Sequence, residues 1–266
     1  MIDALTVLGV AVVLPLALGG SRAAWVAASI GVTVALLLPT GAVAALFVVP
    51  WLAVAVALAG RRLSTVGPSL ASAAGTVAAA YAVVAAASLL ASRAGLTVFG
   101  VGEPIVQLTA VHYTYAGSAA LVLATYALGR TTAGLRTVAT AAVLLTATAP
   151  PVVALGFITR GAVLQVGGAV LMALGVCATG ALNLQAAASA RTDARTARLL
   201  LAVSGLAIWV PMALAVAWAA GQHWDIPVLS IEDMARTHGV ANALGFAIAG
   251  LVGRKLERRQ RETVEA

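Results

Sequence analysis

The sequence predicts an all-α fold, a polytopic transmembrane helical bundle of about nine spans, and three observations lead to this prediction. The 266-residue chain is 62% hydrophobic, with a mean hydropathy of +1.03. Charged residues make up only 9% of it, against about 25% in soluble domains. Apolar segments of about 20 residues, the length that crosses a bilayer, recur along the chain. The composition therefore excludes a water-soluble globule.

The spans follow one another with connections of about a dozen residues at most. The first two are short and close together, so they could instead form a tight hairpin. We expect one bundle domain over residues 1–253 and a basic, solvated cytoplasmic tail over residues 254–266. The predicted spans are residues 4–19, 22–39, 41–60, 69–91, 104–128, 136–157, 162–183, 197–220 and 232–253.

Small and proline residues within the spans predict how the helices pack. Ala and Gly dominate several segments and allow helix backbones to approach closely in lipid. Each proline removes a backbone donor and favours a kink, which opens space between helices. The prolines inside spans are Pro15, Pro50, Pro150, Pro151 and Pro211.

Basic residues predict the orientation, because Lys and Arg accumulate on the cytoplasmic side of a membrane. The net charge of +7 therefore reflects topology, and we expect no nucleic-acid partner. Only Arg93, Arg160 and Arg236 fall on the predicted outer side, which puts the N-terminus outside and the C-terminus in the cytoplasm. The thirteen on the other side are Arg22, Arg61, Arg62, Arg130, Arg136, Arg191, Arg195, Arg198, Arg254, Lys255, Arg258, Arg259 and Arg261.

One polar stretch enters the fifth span from the predicted outer side. It carries Glu103, Gln107, His112, Tyr113 and Tyr115 into an apolar segment. Ionisable residues within spans usually mark function, and a carboxylate, a histidine and a tyrosine together favour proton transfer. Alternatively, Glu103 caps the helix, and the histidine and tyrosines only bond neighbouring helices.

A second polar stretch enters the ninth span from the same side. It contains Trp224, Asp225, Asp233, His238 and Asn242. The alternative interpretation is tight packing, with Asn242 bonding a backbone carbonyl and Asp233 favouring a helix N-terminus. We expect the two stretches to meet, because each supplies partners for polar groups that the other would leave unpaired in lipid.

The two stretches also resemble a known family, the YndJ-like bacterial integral membrane proteins. The matching elements are His-x-x-Tyr-Ala-Gly from His112 to Gly117 and His-Gly-x-x-Asn-Ala-Leu-Gly-Phe from His238 to Phe246. The resemblance implies a multi-span protein of the bacterial inner membrane, with no settled activity. The architecture, without a motif, is similar to that of small membrane-integral terpene cyclases.

The function that we predict is a cofactor-free acid–base enzyme, without a bound metal, for a membrane lipid or isoprenoid. We expect a cyclase or isomerase with Asp225 or Glu103 as the acid. The base would be His112 or His238, oriented by Tyr115 or Asn242. Three alternatives stay open: a transporter of small solutes or ions, a haem or copper protein with two histidine ligands, and an accessory subunit. Residues expected to contact substrate are Gln107, Tyr113, Trp224 and Asp233.

Overall fold

The structure, a computed structural model, describes residues 1–189 and 195–265, the last seven of these by backbone alone. Arg191 lies outside the described residues, and the side chains of Arg259 and Arg261 lie outside the described side chains. Within these bounds the chain is helical and contains no β-strand, which confirms the all-α fold class. Part of the basic charge that predicts the orientation therefore belongs to side chains that the structure does not describe.

Helices occur at each of the nine predicted segments. The helices are α1 (Ile2–Leu18), α2 (Arg22–Leu37), α3 (Ala42–Ser64), α4 (Leu70–Arg93), α5 (residues 105–130), α6 (Ala133–Thr159), α7 (Ala162–Ala188), α8 (Arg195–Gly221) and α9 (residues 231–265).

Five helices of the described chain, α3, α4, α6, α7 and α8, are long and apolar enough to cross a membrane, which is fewer than the nine predicted spans. α1 and α2 are apolar but shorter. α5 and α9 are long, but α5 carries the first polar stretch, and α9 carries the second together with the basic tail. The apolar helices nevertheless support a lipid bilayer as the surroundings of the protein.

Three helices change from α to π geometry partway along their length. The π segments are Gly9–Val13 in α1, Tyr113–Ala119 in α5, and Ala235–Gly239 with Ala241–Ile248 in α9. Each of the three helices contacts the other two through these segments. π segments are rare and frequently accompany functional sites. Both polar stretches of the sequence therefore belong to one contact region, where α1 joins α5 and α9.

Prolines coincide with local breaks in the helices, as the sequence predicts. α3 is interrupted at residues 47–48 and α8 at residues 207–208, in each case shortly before a proline. In α6, Pro151 has no N–H to donate to the carbonyl of Ala147, four residues earlier. The hydroxyl of Tyr81 in α4 donates to that carbonyl instead. The carbonyl that lacks its helical hydrogen bond thus links α6 to α4.

The predicted tail is part of α9, which continues without interruption to Glu265. Glu257 within it is only 3% exposed, and it forms an ion pair with Arg130 at the end of α5. The expectation of a fully solvated tail is therefore wrong for its first turns. A carboxylate that pairs with an arginine can be buried where an unpaired charge could not.

Close contact between α6 and α7 depends on glycines. A Cβ atom added at Gly168 would lie 2.7 Å from Cγ2 of Val153 and 2.8 Å from its backbone nitrogen. A Cβ atom at the adjacent Gly167 would meet no atom within 4 Å. Only one glycine of this pair is therefore required by packing.

This difference gives a matched test of the α6–α7 contact. We expect Gly168→Ala to destabilise the protein by about 1 to 3 kcal/mol, because the helices must separate to admit a methyl group. Gly167→Ala should be neutral or stabilising by up to about 1 kcal/mol, because alanine is the better helix former. Thermal unfolding in detergent measures both, and equal effects of the two substitutions would contradict the packing.

Candidate functional site

A cavity of about 240 Å³ lies among α1, α5, α6, α7, α8 and α9. It begins at the end of the bundle where Ile2, Ile105 and Ile231 start their helices. Its lining extends along α5 to Ala120 and along α9 to Phe246, a depth of about 22 Å at about 1.5 Å per residue. The lining does not continue to the other ends of these helices, so the cavity is blind.

Most of the cavity wall is apolar, from Leu, Val, Ala, Met and aromatic side chains. The polar lining residues are Thr109, His112, Tyr113, Tyr115, Gln165, His238 and Asn242. No Asp or Glu is among the lining residues. A mostly apolar cavity with a few placed polar groups is the usual form of a small-molecule site.

His238 is held by hydrogen bonds at both ring nitrogens. Its Nδ1 lies 2.7 Å from the carbonyl oxygen of Pro211 in α8, and its Nε2 lies 3.0 Å from Nδ2 of Asn242. Because a carbonyl can only accept, Nδ1 carries the proton, and Nε2 accepts from the amide of Asn242. These bonds define a neutral imidazole with a fixed orientation.

His112 differs because only one of its nitrogens is engaged. Its Nδ1–H donates to the carbonyl of Leu108 at 2.8 Å, which leaves a lone pair on Nε2. Nε2 has no hydrogen-bond partner among the described residues, and the side chain is exposed where it lines the cavity. His112 is therefore the residue of the wall that can accept a proton from a bound molecule without first losing a protein partner.

The two tyrosines of the first stretch have different surroundings. The hydroxyl of Tyr115 donates to the carbonyl of Leu5 at 2.9 Å, which ties α5 to α1. The predicted role of Tyr115 in orienting a histidine is therefore wrong. Tyr113 packs edge-to-face on Tyr81, with ring centroids 5.2 Å apart, and its hydroxyl bonds no other described residue. Of the two tyrosines, Tyr113 is therefore the one that lines the cavity with a hydroxyl that no described residue binds.

The carboxylates predicted at the cavity wall do not line it. Glu103 accepts from the backbone N–H of Gln107 at 3.3 Å, and Asp225 is exposed in the loop before α9. Asp233 accepts from the hydroxyl of Ser230 at the start of α9. Charged groups stay at helix starts because water and unpaired N–H groups solvate them there. The prediction that Glu103 and Asp225 form the cavity wall is therefore wrong.

Two of the predicted substrate contacts also lie away from the cavity. The side chain of Gln107 donates to Asp3 at 2.6 Å, and Gln107 lines a separate pocket together with Glu103 and Arg93. Trp224 is 54% exposed and packs edge-to-face on His223. Of the four predicted contacts, Gln107, Tyr113, Trp224 and Asp233, only Tyr113 lines the cavity.

Gln165 of α7 was missed in the sequence and belongs to the cavity. It is 4% exposed, and its Oε1 accepts from Nε2 of His223 at 2.9 Å. This bond connects the loop after α8 to the start of α7. The signal was present, because Gln165 is a single amide within the apolar run AVLQVGGAV. Its role was not visible in the sequence, because its partner His223 lies in a loop that is distant along the chain.

The described residues contain no group of three or more His, Cys, Asp or Glu side chains that could hold a metal ion. Ligation by both His112 and His238 would require His238 to give up the hydrogen bond from Asn242. The residues therefore fit a two-histidine metal or haem site less well than they fit an organic ligand.

The fold and cavity define a class: an all-helical protein with membrane-spanning helices and a blind apolar cavity. The chain matches the model of the YndJ-like protein family over residues 4–246, and it belongs to that family. No curated protein and no solved structure matches the chain. The resemblance seen in the two sequence elements is thus confirmed over nearly the whole chain.

The assignment of the tyrosines can be tested by removing single hydroxyls. We expect Tyr115→Phe to destabilise the protein by about 1 kcal/mol, because the carbonyl of Leu5 loses a buried donor. Tyr113→Phe should leave the stability unchanged, because its hydroxyl bonds no other described residue. Thermal unfolding in detergent compares the two variants, and a larger loss for Tyr113→Phe would contradict the assignment.

Proposed function

We propose that the protein is a membrane-integral acid–base enzyme for a hydrophobic lipid or isoprenoid substrate. The observation that carries this proposal is the unpartnered Nε2 of His112 in the wall of a blind apolar cavity. An imidazole is the side chain best suited to accept and return protons near neutral pH. The apolar wall favours a substrate that is itself mostly hydrocarbon.

Within this class, an isomerase is better supported than a cyclase. A cyclase that starts by protonating an alkene needs a strong carboxylic acid, and no Asp or Glu lines the cavity. An isomerase needs only one base, which removes a proton from one carbon and returns it to another. His112 is proposed to perform both transfers through Nε2, so that the proton balance closes without a cofactor.

The base that we propose limits the substrates that can react. Imidazole removes a proton from carbon only where a neighbouring group, such as a carbonyl, stabilises the resulting negative charge. The hydroxyl of Tyr113 is the proposed donor to that oxygen, by the general principle that a placed donor stabilises developing charge. His238 and Asn242 are proposed to position the substrate rather than to transfer its proton, since they bond each other.

The other functions receive less support from the geometry. A transporter needs a continuous path, whereas the lining ends at Ala120 and Phe246. An accessory subunit has no need of an internal cavity with a base in its wall. The two-histidine haem or copper site would require the bond between Asn242 and His238 to break.

We further propose the full topology, with nine spans, an external N-terminus and a cytoplasmic C-terminus, in the inner membrane of a bacterium. It is supported by a helix at every predicted span and by the basic residues counted in the sequence. α1 and α2 are short for spans, but a locally thinned bilayer accommodates short helices at modest cost. In this orientation the cavity opens outward.

Substitution of the proposed base tests the function. We expect His112→Gln to lower the rate of substrate conversion by about 10² to 10⁴-fold, the usual contribution of a general base. Glutamine keeps the polarity of the side chain but cannot accept the proton. Lipid extracts from cells that express each variant, compared by mass spectrometry, would report both substrate accumulation and product loss.

Glu103→Gln is the matched control, because it removes a predicted acid that lies outside the cavity. The lipid profile should stay that of the original protein. If Glu103→Gln abolishes the product and His112→Gln does not, the assignment of the base is wrong. If neither they nor His238→Gln alter any lipid while all three variants fold, the enzyme proposal fails.

Reporter fusions test the orientation independently. A fusion after Arg195, which begins α8, should give a cytoplasmic signal, and a fusion after Gln222 should give an external signal. The reason is that α8 lies between these two residues. Paired alkaline phosphatase and green fluorescent protein reporters measure the two states, and reversed signals would refute the orientation.

A further inference from the structure

A second site lies at the opposite end of the bundle, where α5 ends and α9 continues into its basic segment. The ring of Tyr126 in α5 packs near two guanidinium groups. The Cζ atom of Arg130 is 5.5 Å from the ring centroid, and that of Arg254 is 5.2 Å from it. Both distances fall in the range of about 6 Å for cation–π attraction. The tyrosine thus holds two like charges close together.

The two arginines at this ring differ in their acidic partners. Glu257 forms an ion pair with Arg130. Arg254 is half-buried and has no ion pair among the described residues; its one hydrogen bond is a long contact of 3.4 Å to the carbonyl of Val122. Arg254 is therefore a guanidinium group without an acidic partner among the described residues, and an anion would supply that partner.

The hydroxyl of Tyr126 adds an independent observation. It is buried and has no hydrogen-bond partner among the described residues. A buried polar group without a partner is costly, and such groups are rare in folded proteins. A hydroxyl donor and unpaired guanidinium donors in one place match the several acceptor oxygens of a phosphate group.

We infer that Arg254 and the hydroxyl of Tyr126 form a binding site for a phosphate group, carried by an anionic phospholipid. The location favours a lipid, because α5 ends there and α9 passes there from its apolar part into its basic segment. Basic pockets between helix ends at the membrane surface commonly bind anionic headgroups. Tyr126 lies about 9 Å along α5 beyond Ala120, where the cavity lining ends, and the site does not depend on the proposed function.

Native mass spectrometry of the purified full-length protein tests this inference. Protein in neutral detergent micelles is titrated with phosphatidylglycerol, and separately with phosphatidylcholine. We expect one phosphatidylglycerol to remain bound at concentrations where phosphatidylcholine does not. Arg254→Gln should weaken its binding by about tenfold, the effect of losing a charge-assisted hydrogen bond.

Lys255→Gln is the matched control, because it removes one positive charge next to Arg254 from an exposed side chain. It should leave the binding of phosphatidylglycerol within about twofold of the original. Equal losses for Lys255→Gln and Arg254→Gln would show only general attraction to a basic surface and would overturn the site. Equal retention of the two lipids would overturn it as well.

Two further measurements keep the inference falsifiable if an arginine variant fails to fold. Tyr126→Phe preserves the ring that packs on both guanidinium groups and removes only the hydroxyl, so it should fold and weaken phosphatidylglycerol binding several-fold. Inorganic phosphate at millimolar concentration should not displace the lipid. Displacement by phosphate would assign the site to the free anion and would overturn the lipid as its ligand, as would unchanged binding in Tyr126→Phe.

Discussion

In a bilayer, every buried backbone polar group must find its partner within the protein, and the structure of this bundle depends on that constraint. Side chains of the apolar helices repeatedly donate to backbone carbonyls of neighbouring helices. Tyr81 bonds Ala147, and Tyr115 bonds Leu5. His238 bonds the carbonyl of Pro211. These bonds join three pairs of helices at points where prolines or π segments disturb the regular helix, or close to them.

The same constraint distinguishes polar groups that are fully used in the fold from one that keeps an unengaged nitrogen. Ser118 donates to Ala78, and Ser204 donates to Phe246, so each of these buried hydroxyls serves the backbone. His112 also bonds a backbone carbonyl, but its second nitrogen faces the cavity without a partner. Because His112 lines the cavity, this unengaged nitrogen marks a place where a ligand would complete the hydrogen bonding.

Charge and apolar surface divide the protein into two regions with different chemistry. The cavity contains no carboxylate or guanidinium group, which suits hydrocarbon and neutral polar groups. The opposite end collects Arg130, Arg254 and Glu257 around one tyrosine, where charged groups can pair near the membrane surface. A lipid chain fits the first region and a lipid phosphate fits the second. The two sites would therefore select different parts of the membrane.

The sequence by itself determined the class of the fold and the positions of its helices, because hydrophobic composition and segment length are local properties that a bilayer constrains strongly. The sequence also identified His112, His238 and Asn242 as candidate site residues, because polar residues stand out in apolar segments. It overestimated how many helices are long and apolar enough to cross a membrane. The polar residues that make α5 part of the candidate site also lower its hydropathy.

Only the tertiary structure decided which polar groups meet. It excluded Glu103 and Asp225 from the cavity, assigned the hydroxyl of Tyr115 to the backbone, and brought Gln165 to a histidine 58 residues away. The physical reason is that hydrogen bonding depends on distances of about 3 Å between atoms of different helices. The spacing of residues along a helix fixes the face on which each residue lies, but the packing of helices against one another fixes its hydrogen-bond partner.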